Sequence, residues 1–240
     1  RDIHEHPELS NREERTAALV AAHLKSLGLE VQTGVAKTGV VAILKGNKPG
    51  PVIALRADMD ALPVTERGNL PFKSKVEVVY NGQKTGVMHA CGHDSHMASL
   101  IGAVIILKKY EAELKNKIVI IFQPAEEIAQ GANWMVKDGV MNNVAAILGL
   151  HVFPSIPAGS VGIRYGALTA AADDLEIIII GESGHGARPH EAIDAIWIAS
   201  QVITSLQQAI SRTQNPLRPV VLSIGKISGG RAPNVIADRV

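Results

Sequence analysis

The 240-residue chain holds a single cysteine, Cys91, so no internal disulfide framework staples it. Aromatic residues make up 3% of it, and 24 lysines and arginines nearly balance 23 aspartates and glutamates. Nucleic-acid binding draws on a basic face or stacking rings, so nucleic acid is not expected as a partner. The longest apolar runs, such as Ile177-Ile178-Ile179-Ile180, are strand-length and too short to cross a bilayer, which excludes a membrane partner in the same way. Internal repeats, low-complexity tracts and a signal-peptide pattern are also lacking. The first residue is Arg1 rather than Met and motif-like sequence begins at once, so residues are expected to precede it. Without a leader, the free thiol of Cys91 points to a reducing, cytoplasmic compartment.

What the chain does have is concentrated in residues 88–96, Met-His-Ala-Cys-Gly-His-Asp-Ser-His, which hold three of its nine histidines and its cysteine. Cys91 and His93 flank Gly92, and a glycine spacer lets two alternate side chains turn toward one ion. A thiolate with an imidazole suits a borderline-soft divalent ion, zinc first. Taken alone, the pair also reads as a buried cysteine beside polar histidines at a helix start.

The surrounding pattern is that of alternating strands and helices. Ser10 or Asn11, with Glu13 or Glu14 near the capping-box position, opens a helix to about Leu27, with Leu19, Val20, His23, Leu24 and Leu27 on one face. Strands are expected at 31–35, 40–44 and 52–56, then a long loop with short strands over 63–87. A helix over 94–109 turns Ala98, Ile101, Ile105 and Ile106 inward, followed by a strand at 117–122, a helix at 129–138 and a strand at 145–150. After a linker over 153–166, a second unit reads as a strand over 170–181, a helix over 191–212, a strand over 220–228 and a Gly229-Gly230 turn into Asn234-Val235-Ile236.

Three apolar strands end in polar chemistry, delivering Asp58 and Asp60, then Glu126 and Glu127, then His151. Open α/β sheets place their sites at such C-terminal strand ends. Adjacent glutamates on an extended backbone point apart, so one is suited to a metal and the other to a substrate as general base. Two carboxylates side by side also occur as a solvated surface pair, and His151 alone also reads as a core histidine. Together Cys91, His93, Glu127 and His151 supply one closed tetrahedral site, or two ions with open positions. The open arrangement suits hydrolysis, because a metal lowers the pKa of its water from about 15.7 to about 7. A carboxylate then shuttles the proton to the leaving amine.

At this point the chain resembles the zinc-type amidohydrolases related to aminoacylase and carboxypeptidase G. Within them it is most similar to the hippurate hydrolases, bacterial N-acyl-amino-acid carboxypeptidases and plant indole-acetyl-amino-acid hydrolases. The shared motifs are Arg-Asp-Ile-His-Glu-His-Pro-Glu-Leu (1–9), Ala-Leu-Arg-Ala-Asp-Met-Asp-Ala-Leu-Pro (54–63), Met-His-Ala-Cys-Gly-His-Asp (88–94) and Phe-Gln-Pro-Ala-Glu-Glu (122–127). They continue with Leu-His-Val (150–152), Gly-His-Gly-Ala-Arg-Pro-His (184–190) and Gly-Gly-Arg-Ala-Pro-Asn-Val-Ile (229–236).

The resemblance implies a zinc-peptidase-like α/β catalytic domain over 1–166, with a central mixed sheet flanked by helices, and an inserted smaller α/β lid domain over 167–240 that mediates homodimerisation. It implies two divalent ions, zinc or else manganese, cobalt or nickel, with Cys91, His93, Glu127 and His151 matching the ligands. Glu126 matches the general acid/base, and Asp58 a position that supports the site. His185 matches a lid histidine that reaches a substrate carbonyl, and Asn234 an asparagine that holds the substrate's carboxylate end. The implied reaction cleaves the amide of an N-acyl or N-aroyl amino acid or a short peptide, with esters as side substrates. Two departures stand out. Val235-Ile236 is followed by Ala237 where proline is usual, and the chain stops at Val240 before the family's last histidine ligand. The expectation is therefore a piece of a longer enzyme; the rival is a truncated, non-catalytic relative that keeps one structural metal and acts through dimerisation. A thiol hydrolase using Cys91 as nucleophile is a third, weaker reading.

Overall fold

The apolar runs of the first half become the strands of one mixed sheet. In the computed structural model, which describes residues 1–240, a short helix α1 (Asp2–Glu5) and a longer α2 (Glu14–Ser26) precede strands β1 (Glu30–Val35), β2 (Gly39–Lys45) and β3 (Val52–Asp58). A hairpin of β4 (Glu77–Tyr80) and β5 (Gln83–Gly86) leads to α3 (His93–Lys109), β6 (Lys117–Gln123), α4 (Gly131–Lys137) and β7 (Val144–Gly149). The chain divides into two units, Arg1–Ile163 and Arg164–Val240.

In the first unit the sheet order is β1-β2-β6-β3-β7. β1, β2 and β6 run antiparallel, while β6, β3 and β7 are mutually parallel. Both faces of the central strands are covered, which is why their sequences read as unbroken apolar runs. Val40, Ala42, Leu44, Ile120 and Phe122 pack with Val20 and Leu24 of α2 and Met97, Leu100 and Val104 of α3. Val41, Ala54, Val119 and Ile121 pack on the opposite face with Met135 of α4.

Several expectations are corrected by packing. The inward face of α3 carries His93, His96, Met97, Leu100 and Val104, whereas Ala98, Ile105 and Ile106 are exposed. The helix is phased by its two histidines rather than by its isoleucines. The α2 amides are capped from outside the helix, because the Glu8 carboxylate accepts the Arg15 and Thr16 N–H groups at 3.1 and 2.7 Å. That frees Ser10 for Asp60 and leaves His23 on the solvent side. In this chain β7 is the last strand in the order, and its Leu148 is 62% exposed.

In the second unit α5 (Ala195–Thr213) begins at Asp194, whose carboxylate accepts the Ile196 and Trp197 N–H groups. A two-residue β8 (Gly184–His185) pairs antiparallel with β9 (Val235–Ile236). Of the strands expected over 170–181 and 220–228, the second forms no pairing, and the first pairs only at its end, where Ile180 bridges Arg239, Ile179 exchanges two backbone bonds with Val240 and the Gly181 N–H donates to Asp238. Their apolar side chains are largely exposed, Val221 at 87%. No helix is long and apolar enough to cross a membrane.

Candidate metal centre

Parallel register brings the three polar strand ends to one edge. Asp58, ending β3, pairs with Gln123, ending β6, and Arg56 pairs with Gly149, ending β7. Beyond β6 the chain turns through Ala125 at φ +50° before Glu126 and Glu127. Beyond β7 come Leu150 and His151. Gly92, at φ +86°, precedes α3, and a Cβ there would meet Val152 Cγ2 at 2.4 Å. Only glycine lets the loop after β7 lie against the Cys-Gly-His turn.

The result is one cluster. Cys91 Sγ lies 3.3 Å from His151 Nε2. His93 Nε2 lies 3.7 Å from Glu127 Oε1 and 3.8 Å from Glu126 Oε2. Cys91, His93 and His151 form a group with metal-binding spacing, as do His93, Glu126 and Glu127, and Asp58, His93 and His96.

Hydrogen bonds settle which nitrogens are free. His93 Nδ1 donates to the Asp60 carbonyl at 2.8 Å, so Nε2 is left as a lone pair. His151 Nδ1 donates to the Val152 carbonyl at 2.7 Å, which likewise frees Nε2 beside Cys91. His93 Nε2 and Glu127 Oε1 are both buried without a hydrogen-bond partner. Two buried acceptors facing one another at 3.7 Å are costly unless a cation lies between them. The donor set of thiol, imidazoles and carboxylates, with these orphaned atoms, therefore fits divalent metal.

The local field has the same sign. Burial and the carboxylates of Glu127 and Glu126 push the Cys91 thiol up to about 11. Burial, together with the charges of Glu126 and Asp60, raises the Glu127 carboxyl. Burial opposes protonation of His93, but Asp60, Asp58 and Glu127 raise its pKa nonetheless. Upward shifts at a thiol, a carboxyl and an imidazole in one place mark excess negative charge, which favours a bound cation.

A support layer holds these groups. Asp60 Oδ2 accepts the Ser10 hydroxyl at 2.6 Å and the Glu127 N–H at 3.0 Å. Glu13 is fully buried; its carboxylate accepts the Ala125 N–H at 2.8 Å and the Thr38 hydroxyl at 2.6 Å, bracing the turn that launches the glutamates. Burial raises the Glu13 pKa despite these bonds. A raised carboxyl stabilises the fold fully below the ordinary carboxylate range, and that contribution is lost as pH rises from there through the folded-state pKa. Glu13→Gln keeps the Ala125 bond through its amide oxygen, meets Thr38 by donating its N–H to the hydroxyl oxygen, and removes this loss. Its stability relative to the parent is therefore expected to climb with pH above the ordinary carboxylate range, measured by urea unfolding from about pH 4 to about pH 8. Glu13→Ala, which orphans the Ala125 N–H, is expected to cost about 2 kcal/mol or more throughout.

All four residues matched to ligands, with Glu126, come together at this edge. Asp58 is paired with Arg56 at 2.7 Å and His96 at 2.6 Å, and its Oδ2 lies 3.7 Å from His93 Nε2. The acceptor of the His93 Nδ1 proton is the backbone carbonyl of Asp60, a residue that sequence reasoning placed at the strand end without a role. His96 was also passed over, although its spacing of three from His93 on a helix signals a shared face. His89, the third histidine of the stretch, stays outside the cluster; it is buried, and that burial pushes its pKa down to about 4. In the second unit, the β8–β9 pairing sets His185 opposite Val235, and the Asn234 carbonyl accepts the Gly186 N–H at 2.8 Å. His185 and Asn234 are thereby neighbours. His185 Nδ1 accepts the Ala187 N–H, so its Nε2 carries the proton.

Residues 54–236 match the peptidase family M20/M25/M40. A Synechocystis sp. protein named a probable hydrolase is 63% identical over 241 residues, spanning 100% of this chain and 59% of that one. The N-acetylcysteine deacetylase of Bacillus subtilis is 46% identical over 100% of this chain and 61% of its own length. A solved Bacillus subtilis structure, described as a dinuclear metal binding peptidase from the M20 family, superposes with a TM-score of 0.73 at 42% identity, over 99% of this chain and 59% of that one. The chain thus spans about three-fifths of the length of these relatives.

Proposed function

The chain belongs to the peptidase family M20/M25/M40, and from that membership we propose that it forms the metal-binding part of an amidohydrolase releasing amino acids from N-acyl amino acids or short peptides. The observation that carries the reading is the pair of buried, unpartnered acceptors, His93 Nε2 and Glu127 Oε1, beside Cys91 and His151. Cys91, His93, Glu127 and His151 would hold two divalent ions, zinc by donor chemistry and manganese, cobalt or nickel as alternatives. Bound there, the ions would polarise the scissile carbonyl and acidify a water.

The chain's own residues do the rest. Glu126, whose side chain is more exposed than that of Glu127 (39% against 17%), accepts the water's proton and returns it to the departing amine nitrogen. Asp60 keeps His93 in the tautomer that presents Nε2. His185 donates to the substrate carbonyl through Nε2, and Asn234 holds the carboxylate end. The second unit serves as lid and dimer contact, and the free thiol belongs in a reducing, cytoplasmic setting. The N-acyl class is supported by the deacetylase named among the relatives.

The test is elemental analysis of the full-length protein with hydrolysis of N-acetyl and N-benzoyl amino acids. Near two equivalents of metal are expected, with turnover abolished by chelation and restored by zinc, manganese, cobalt or nickel. Turnover that survives chelation would overturn the reading. So would a metal-free protein that gains no activity on metal addition.

A further inference from the structure

His96 is the one buried histidine of the cluster bonded through both ring nitrogens to other parts of the first unit. Its Nε2 accepts the Val152 N–H at 2.9 Å. That nitrogen therefore has no hydrogen, and Nδ1 donates to Asp58 Oδ1 at 2.6 Å. Asp58 Oδ2 in turn accepts from Arg56 Nη1 at 2.7 Å, and Arg56 Nε donates to Gln123 at 2.9 Å. The chain of bonds thus runs from the end of β6, across β3, to the first residue after His151.

Val152 is the hub. Its N–H is fixed by His96, and its carbonyl accepts the His151 Nδ1 proton. Its Cγ2 occupies the space that any side chain at Gly92 would take. The His96 ring also lies against the His151 ring, with centroids 4.6 Å apart. Both His93 and His151 present Nδ1 to a backbone carbonyl, but His93 is buried with the Asp60 carboxylate 3.4 Å from that nitrogen, whereas His151 is exposed and has no carboxylate partner of its own. What holds its tautomer is the carbonyl of Val152, and the N–H of that same residue is held by His96.

We propose that His96 is a positioning residue for the metal centre: through the Val152 peptide groups it fixes His151 with Nε2 presented beside Cys91, and Asp58 orients His96 in turn. The inference rests on His151 being a ligand. Partners that orient a ligating histidine are worth about 10–100-fold in metal affinity.

Two substitutions split the contacts of His96. His96→Gln places an amide oxygen near the old Nε2 position, so it keeps the Val152 bond and gives up Asp58. His96→Asn places its amide near Nδ1, so it keeps Asp58 and gives up Val152. In the full-length protein, competition with a chromophoric chelator is expected to show zinc affinity about 10–100-fold weaker for His96→Asn. His96→Gln should stay within about threefold of the parent, a small fraction of that second-sphere effect. Before metal is added, the ¹⁵N shifts of His151 should report Nδ1–H in the parent and His96→Gln, and a tautomer mixture in His96→Asn. Packing alone would weaken both variants alike and leave the His151 tautomer unmoved, which would overturn the proposal. Parent-like affinity in His96→Asn would overturn it too. His151→Ala separates the two readings: unchanged zinc affinity there refutes the ligand assignment, whereas a loss there without one in His96→Asn refutes the relay alone. The tautomer spectrum is read without metal, so it decides the relay even where His96→Asn binds too weakly to titrate.

Discussion

Glu126→Gln is expected to lower turnover of N-acyl amino acids about 10²–10⁴-fold, the usual worth of a positioned general base, while metal content stays at the parental level. The two adjacent glutamates make this a sharp test. Glu127 is anchored, since its N–H donates to Asp60 at 3.0 Å and its Oε1 is buried facing His93 Nε2. The Glu126 carboxylate projects from the same turn to the more open side, with Oε2 3.8 Å from His93 Nε2. An amide at 126 has nearly the same shape but takes up no proton, so chemistry fails while binding survives. At 127 the same change removes a charged acceptor from the donor set, so Glu127→Gln is expected to lose metal as well as turnover. Paired kcat and metal-content measurements separate the roles. Full activity in Glu126→Gln would remove it as the base, and metal loss there would make it a ligand.

Much of this site was legible because the relevant signals are local. The strands β3 and β6 carry apolar runs, over 52–55 and 118–122, and then break into Asp58-Met59-Asp60 and Pro124-Ala125-Glu126-Glu127, so their ends announce chemistry without any knowledge of register. The Cys91-Gly92-His93 turn carries its own geometry in the glycine. What escaped depended on neighbours far along the chain. Asp58 and Asp60 are two apart and indistinguishable by type, but β3 ends between them, so one faces His96 and the other the turn with His93. Glu13 looked like part of a capping box, yet its partner is Ala125, 112 positions away. The lost information is tertiary in each case, since it concerns which element lies alongside, not what the element is.

The largest stability effect is expected from Gly131→Ala, at a position that carries no chemistry. Gly131 opens α4, its N–H donates to the Ala125 carbonyl at 3.1 Å, and a Cβ there would fall 1.6 Å from the Pro124 oxygen and 2.7 Å from the Pro124 carbonyl carbon. Both are backbone atoms, so no rotamer change relieves the overlap. Either α4 or the Pro124-Ala125 turn must move by more than an ångström to reach ordinary contact. The turn is not free to move, because Glu13 holds the Ala125 N–H and Asp60 holds the Glu127 N–H. Overpacking of this kind is expected to cost about 3 kcal/mol or more, read as a shift in the urea midpoint, and to lower metal content because the displaced turn carries Glu127. Gly102→Ala is the matched control. Gly102 lies within α3 with nothing inside 4 Å of its virtual Cβ, so the same methyl group is expected to stabilise by about 0.5–1 kcal/mol through helix propensity and leave the metal in place. Opposite signs from one chemical change would show that Gly131 is required by close approach to the turn behind Glu126 and Glu127, and equal effects would refute that close packing.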